Sequence, residues 1–511
     1  MKILSTLFFV FLFAGFSFAQ VKHDYNWEIG NGANADGIIN NGMSIKFTSN
    51  PVTIEFSERD IDMWGTNTSM SDAEGNLIFY TNGCKIFNAD HELMENGNNI
   101  NAGEVNDIQC PDDELDGAYT VTNGILALPD PGSDSLYYIF HQRIIYLYDP
   151  FNVKVDQLLY SVVNMNKEEG RGAIVLKDQV AIADTLCYGD IAAVQHANGE
   201  DWWIVSAKNL TDTMYVVALT NEGVQSSEKH QAGAVHQGDG YIHETCFSPD
   251  GSKYARHSPL DQIHLYEFDR TTGTFSNFQQ LHVADTTYSA GIAISPNSRY
   301  MYVSNLLELY QYDLWDTDKK KKKKVVGIYD GFTDFTPTTF GRMQLGPDCR
   351  IYMMAGSNPY YSVINKPDRP GLACDLRQHG LELPYHNFRA MPKFPNYRLG
   401  TIPTYPCDST IAVNLTSSIL EVAPPDVNVL LYPNPVQTGG ELTIELQNNF
   451  EGEILLYDLL GQTLATHPVA NWERLFRIAL PTSVGAGVYY WVLRGKDGEV
   501  ASGKLAVFNE N

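Results

Sequence analysis

Beyond its first eighteen residues, the 511-residue chain has no apolar run long enough to cross a bilayer, so nothing in its body reads as a membrane span. Basic charge is scarce, with 35 Lys and Arg against 61 Asp and Glu, a net of −26. That balance argues against nucleic acid and anionic membranes as partners, because both would be repelled. No two of the seven cysteines are spaced as C-x-x-C, which removes the commonest zinc and redox patterns. The G-x-S-x-G nucleophile elbow, the H-E-x-x-H zinc helix, the Gly-Lys-Ser/Thr phosphate loop and the EF-hand loop are missing too. "GNGANA" at 30–35 imitates a dinucleotide fingerprint, but no strand-then-helix setting surrounds it, and it reads as a loop.

What is present begins with an export signal. Met1-Lys2 precedes an apolar stretch from Ile3 to Phe18, and Ser17-Phe18-Ala19 places small residues at −3 and −1 before Gln20. Residues 1–19 therefore read as a signal peptide, and its removal with Lys2 takes the net charge from −26 to −27. No Cys follows the cleavage point, so a lipid anchor there is not expected.

Helical periodicity is scarce, whereas short runs of Val, Ile, Tyr, Phe and Trp recur between Gly, Pro, Asn and Asp clusters, and the fold class is all-β. One unit repeats: "ETCFSPDGSKYAR" at 244–256, "GIAISPNSRYMYVS" at 291–304 and "RMQLGPDCRIYMMA" at 342–355. Each reads as strand, tight turn, strand, with Pro setting φ in the turn and Asp or Asn following it. Looser copies stand at 71–83, 126–140 and 192–206, which makes six. Intervals of 40 to 50 residues suit the four-stranded blades of a β-propeller, which need neighbours to bury their faces. The ring is expected over residues 20–407, with seven blades favoured and six to eight allowed. The seventh would combine residues 21–65 with the stretch after Phe394, closing the ring like a clasp.

Residues 408–427, with paired prolines at 424 and 425, read as a linker, and 428–511 as a small Ig-like β-sandwich of short strands. Pro433-Asn434-Pro435, Tyr457-Asp458 with Gly461, Gly487 with Tyr489, and the closing Lys504 to Val507 resemble the type A C-terminal sorting domain of type IX secretion in Bacteroidetes-type bacteria. The resemblance implies passage through the periplasm and then the outer membrane. Its partners would be the outer-membrane translocon and a sortase-like peptidase, and the product would lie outside the cell or on its surface. "SDAEGNLIFYTNG", "HANGEDWWIVS", "FSPDGSKYA" and "FPNYRLG" are in turn similar to secreted propellers related to WD-repeat-like folds. The Trp-Asp strand ending of WD repeats is missing, as are the S-x-D-x-G-x-x-W boxes of propeller sialidases.

Candidate sites follow from placing residues on such a ring. The A-B and C-D turns of a blade share one face of the disc, so Cys349 and Cys374 are expected to pair there, and Cys84 with Cys110 on the other face. His230, His236 and His243 are a candidate for a transition metal. No cofactor is expected otherwise, except calcium at the acidic stretch 106–117, through Asp112, Asp113 and Asp116. Lys319 to Lys324 reads as a solvated hairpin tip, and no aromatics interleave it to stack bases. Of the aromatic pairs Tyr137-Tyr138, Trp202-Trp203 and Tyr360-Tyr361, at least one member each should be core, since neighbours on a strand face opposite ways. The expected function is ligand or partner binding, with a glycan or surface protein as ligand. The alternatives are a polysaccharide hydrolase or lyase using distant acids such as Glu55, Asp60 and Asp62, or a structural part of the envelope surface.

Overall fold

The computed structural model describes residues 21–31, 42–57, 59, 61–111, 117–236, 244–283, 291–317, 323–401, 406–407, 429–446, 450–457, 463–470, 475–481, 484–495 and 498–508. The expected signal peptide and linker lie outside these residues. The chain divides into two compact units, Met1–Val413 and Asn414–Asn511.

The described residues of the first unit form seven antiparallel sheets of three to five strands in chain order, with a two-strand ribbon, Thr333–Asp334 and Thr336–Pro337, before the last of them. Asn26–Ile29, Gly42–Lys46 and Thr53–Ser57 form the first, and Thr68–Ser71, Leu77–Thr81 and Ile86–Asn88 the second. Ile125–Asp130, Ser133–Tyr148, Phe151–Asn164 and Ala173–Leu186 form the third, whose last three strands run 14 to 16 residues. The fourth to seventh open with Ala192–Gln195, Glu244–Phe247, Gly291–Ile294 and Met343–Leu345. Most of these opening strands lie beside the opening strand of the next sheet, so each sheet turns its inner edge to a common channel. The seventh sheet meets the first where Tyr352 packs edge-on against Trp27, ring centroids 5.5 Å apart, and where the Gly30 amide donates to Asn387 Oδ1 at 3.3 Å. Sheets arranged in this way form a β-propeller. Stacking is what buries them: Trp27, Trp202, Tyr254, Tyr302 and Tyr352 are all 2% exposed or less, because each fills the gap to a neighbour.

All six repeats found in the sequence are the first hairpins of the second to seventh sheets. The turns of the last three share one device. The amides of Gly251, Ser298 and Cys349 donate back to the carbonyls of Ser248, Ser295 and Gly346 at 2.7, 2.8 and 3.1 Å. All three residues have φ near +60 to +70° (72°, 59° and 67°), the left-handed region in which such hairpins close. Only Gly251 adopts it without a Cβ, and there a Cβ would also stand 2.5 Å from Arg270 Cδ and 3.0 Å from Leu399.

The expected clasp is corrected. The first sheet closes from Asn26 to Ser57 without help, and among the described residues after Phe394 the first unit has no strand. Pro392 and Pro395 lack the amide that a ladder needs. The chain there does something else, described below.

The second unit is a two-sheet sandwich. Val429–Tyr432, Glu441–Leu446 and Leu475–Ala479 make one sheet, and Val436–Gln437, Gly498–Phe508, Gly487–Gly495, Gly452–Tyr457 and Thr463–Val469 the other, in that order. Ile444, Leu493 and Leu505, each 0% exposed, share its core.

Candidate functional site

The channel is occupied by the protein's own chain. Residues 389–401 run along it without joining a sheet, fixed by side chains at successive levels. Arg342, at the start of the seventh sheet, donates to the carbonyls of Arg389 and Met391 at 3.2 and 3.0 Å. Further along, Asn396 donates to the carbonyl of Pro249 at 2.8 Å, and the Tyr397 hydroxyl to that of Ala127 at 2.7 Å. Arg398 grips both carboxylate oxygens of Asp24 at 2.6 and 2.7 Å, and the Gly400 amide donates to Gln195 Oε1 at 2.7 Å. Phe394 and Tyr397 pack against Trp27 and Trp202, with centroids 6.0 and 5.8 Å apart. Cys407 then bonds to Cys349 in the first turn of the seventh sheet, Cα atoms 5.4 Å apart.

A cavity open to solvent remains beside this segment. Small apolar side chains of the fourth and sixth sheets line it, including Ala193, Val194, Ile292 and Ala293. Polar groups line it too, from the fifth-sheet strand between them and from the seventh sheet. Glu244 Oε1 accepts from Asn123 at 2.5 Å and from Arg342 Nε at 3.0 Å, and Arg342 also donates to Asn123 Oδ1 and the Gly65 carbonyl. Lys393 donates to the Thr245 hydroxyl at 2.8 Å. It lines the cavity, so its surface is only partly covered, yet protein surrounds it closely enough that desolvation lowers its pKa to about 8 against the pull of Glu244. Beside it, burial pushes the Cys246 thiol up to about 12.

A second buried network lies in the fifth sheet. The Arg256 guanidinium donates to Asp190 at 2.8 Å, to Asp261 at 2.9 Å and to His236 Nδ1 at 2.6 Å. Arginine has only donors, so His236 accepts at Nδ1 and is neutral there. His236, Asp261 and His264 bring ligand atoms within 4.8 Å of one another, a spacing that a metal could use. The cationic slot among them is already filled by Arg256, so the group fits an internal ion network and not a metal.

The expected sites fare unevenly. Cys84 and Cys110 are bonded, Cα atoms 5.5 Å apart. The pairing of Cys349 with Cys374 is corrected: Cys349 joins Cys407, and Cys374 is free and buried, as are Cys187 and, less completely, Cys246. The turn of Cys349 joins the two innermost strands of its sheet, whereas Gly371–Cys374 leads to the outermost strand. Sharing a face does not bring two Cα atoms within bonding range. Of the expected histidine trio, His236 sits beside Arg256, His230 is on the strand Glu228–Gln231, and His243 lies outside the described residues. The calcium candidate Asp112, Asp113 and Asp116 also lies outside them, as do Asp60 and Lys319 to Lys322. Lys323 is not a solvated tip: it stacks on Tyr310, 3.9 Å from the ring centroid, and donates to the Val283 carbonyl. Glu55 pairs with Lys46 on the exposed edge of the first sheet, and neither it nor Asp62 lines the cavity. Tyr137, Tyr138, Trp202 and Tyr361 are core, while Trp203 and Tyr360 are half-buried.

The sandwich brings its expected motif together. Asn434, between the two prolines Pro433 and Pro435, donates to the Lys504 carbonyl at 3.0 Å and accepts from the Ala506 amide at 2.9 Å. Val436 then pairs in parallel with Val507, which faces Gly487 on its other side, and Tyr489 faces Leu505. Arg494 donates to the Tyr457 hydroxyl at 3.1 Å. Asp458 and Gly461 lie outside the described residues.

These features define an exported β-propeller with a C-terminal sorting sandwich. Residues 430–507 match the family described as secretion system C-terminal sorting domain, which places the protein at the cell surface or outside the cell by type IX secretion. Among the described residues no helix is long and apolar enough to cross a membrane. No curated protein matches the chain. Among solved structures it is similar to the periplasmic gluconolactonase of Pseudomonas aeruginosa, with 13% identity, 89% of this chain and 99% of that one covered and a TM-score of 0.33. It is also similar to a protein from Lactobacillus plantarum (11%, 94% and 99%, 0.36) and to the Swd1 β-propeller domain of Myceliophteria thermophila (9%, 65% and 94%, 0.35). At these TM-scores the likenesses carry no argument, and the propeller reading rests on the sheets themselves.

Proposed function

We propose that the exported ring is a binding protein that holds a glycan or a surface protein by its periphery. The supporting observation is where its aromatic side chains are left uncovered. At the tip of the long hairpin of the third sheet, Tyr148 and Phe151 are 63% and 65% exposed and cluster with Tyr146. Beside the outermost strand of the seventh sheet, Phe335 is 74% exposed and packs on His386, while Phe332 contacts His379 and Tyr360. Flat rings with acids and imidazoles nearby suit sugar faces and protein partners alike, since they offer apolar area at small entropic cost. In this reading the sandwich engages the translocon and the sortase-like peptidase, and the ring acts after export.

Glycan arrays and pull-downs from envelope fractions with the purified exported protein test this. Binding should appear in at least one format and fall about tenfold or more in Tyr148→Ala/Phe151→Ala or in Phe335→Ala, as loss of an aromatic anchor does. Silence in both formats, or binding that survives both variants, would sink the reading.

A further inference from the structure

Among the described residues that line the cavity, Lys393 is the cation with no carboxylate in direct ion-pair contact. The cavity's other cations are committed: Arg342 to Glu244, Asn123 and three carbonyls, and Arg398 to Asp24. Lys393 makes one hydrogen bond, to Thr245 Oγ1 at 2.8 Å, and among the described residues no carboxylate stands within 4.0 Å of its amine. Glu244, on the same strand as Thr245, already accepts twice through Oε1. The half-buried amine is partly desolvated, and its remaining N–H groups have no described protein acceptor. On the strands to either side of that of Thr245, the lining residues Ala193, Val194, Ile292 and Ala293 are apolar.

We propose that this cavity is a binding site for a small organic carboxylate with an apolar body, the carboxylate pairing with Lys393 and the body lying against the fourth and sixth sheets. Pockets of this kind combine an apolar lining with a few polar groups that fix orientation. The site is independent of any partner bound at the periphery, so either can fail without the other. The groups facing Lys393 are Glu244, Asp190, Cys246 and Arg342. Asp190 is held by Arg256, Glu244 by Arg342, and the Cys246 thiol titrates only near 12, which leaves Lys393 itself, near 8, to set the pH response. Carboxylate affinity should therefore be full below that value and decline as pH rises through it.

Benzoate is the probe, with benzamide as its neutral counterpart, titrated calorimetrically into the purified exported protein. Near neutral pH benzoate should bind about tenfold or more tightly than benzamide, the size of one charge-assisted contact. That preference should shrink above about pH 9, where the amine is mostly neutral. Lys393→Met should keep the melting temperature and erase the preference. Benzoate should also shield Lys393, read by peptide mass, from reductive methylation, a measurement that needs no variant. Equal affinity for the two probes, no benzoate binding up to about 10 mM, a preference retained in Lys393→Met, or unprotected Lys393 would each overturn the proposal.

Discussion

The ring and the sandwich each fix their last described segment, and they do it by different physics. In the sandwich, Gly498–Phe508 is clamped between Gly487–Gly495 and Val436–Gln437 by backbone pairing, with Asn434 as a side-chain latch. In the ring, residues 389–401 join no sheet, and specific side chains hold them to partners far back in the sequence: Arg398 to Asp24 across 374 positions, Tyr397 to Ala127 across 270. A backbone ladder tolerates many side chains. A threaded plug held by individual contacts tolerates few, and the ring should accordingly be the part that single substitutions damage most.

The sharpest break of that comparison is Arg256→Met. It leaves Asp190 and Asp261 buried without their cation, and the ring's unfolding free energy should fall by about 3–5 kcal/mol. Urea titration followed by ring and sandwich fluorescence should show the ring transition moving while the sandwich stays; a ring loss under about 1 kcal/mol would remove the contrast. Next comes Cys407→Ser, which frees the end of the plug. The lost cross-link spans 58 positions and should lower ring stability by about 2–4 kcal/mol, with non-reduced peptide mapping finding Cys349 bonded to Cys407 in the parent protein.

A pH scan separates the two units further. His141 is buried in the third sheet, its Nδ1 2.7 Å from Asn101 Oδ1 and its Nε2 3.1 Å from the Ser161 hydroxyl, partners that suit the neutral ring. Burial lowers its pKa from 6.5 to about 4 despite Asp178, so the unfolded chain takes up its proton first. Ring stability should be unaffected by this group above about 6.5 and should fall progressively from there to about 4. His141→Gln should flatten that slope, and an unchanged slope would refute the assignment. The smallest effect is expected in the sandwich. Asn434→Ala removes two hydrogen bonds at the surface and should cost about 1 kcal/mol, with reduced export measured as secreted yield.

Legibility followed the same division. The hairpins at 244–256, 291–304 and 342–355 could be read because Pro249, Pro296 and Pro347 mark turns whose geometry is local. The sorting sandwich could be read because Asn434 and Lys504 belong to one recurring pattern. The first sheet carried no such turn and was joined in expectation to a stretch that forms no strand, although Pro392 and Pro395 already argued against a ladder there. The histidines closest in sequence were not the ones that meet. His264 reaches Arg256 because the two are paired across adjacent strands, and His236 arrives from the connection that follows the preceding sheet, a meeting that spacing along the chain does not encode.

The sequence by itself determined that the chain is exported, that it is made of short β-hairpins and that it ends on a sorting module, since each rests on contacts between near neighbours or on a pattern of residue types. Which cysteine Cys349 would find, which cation Asp190 would hold, and that residues 389–401 would lie inside the channel beside Lys393 were decided only when the ring closed. Closure fixes distances between residues hundreds of positions apart, and neither composition nor periodicity carries those distances.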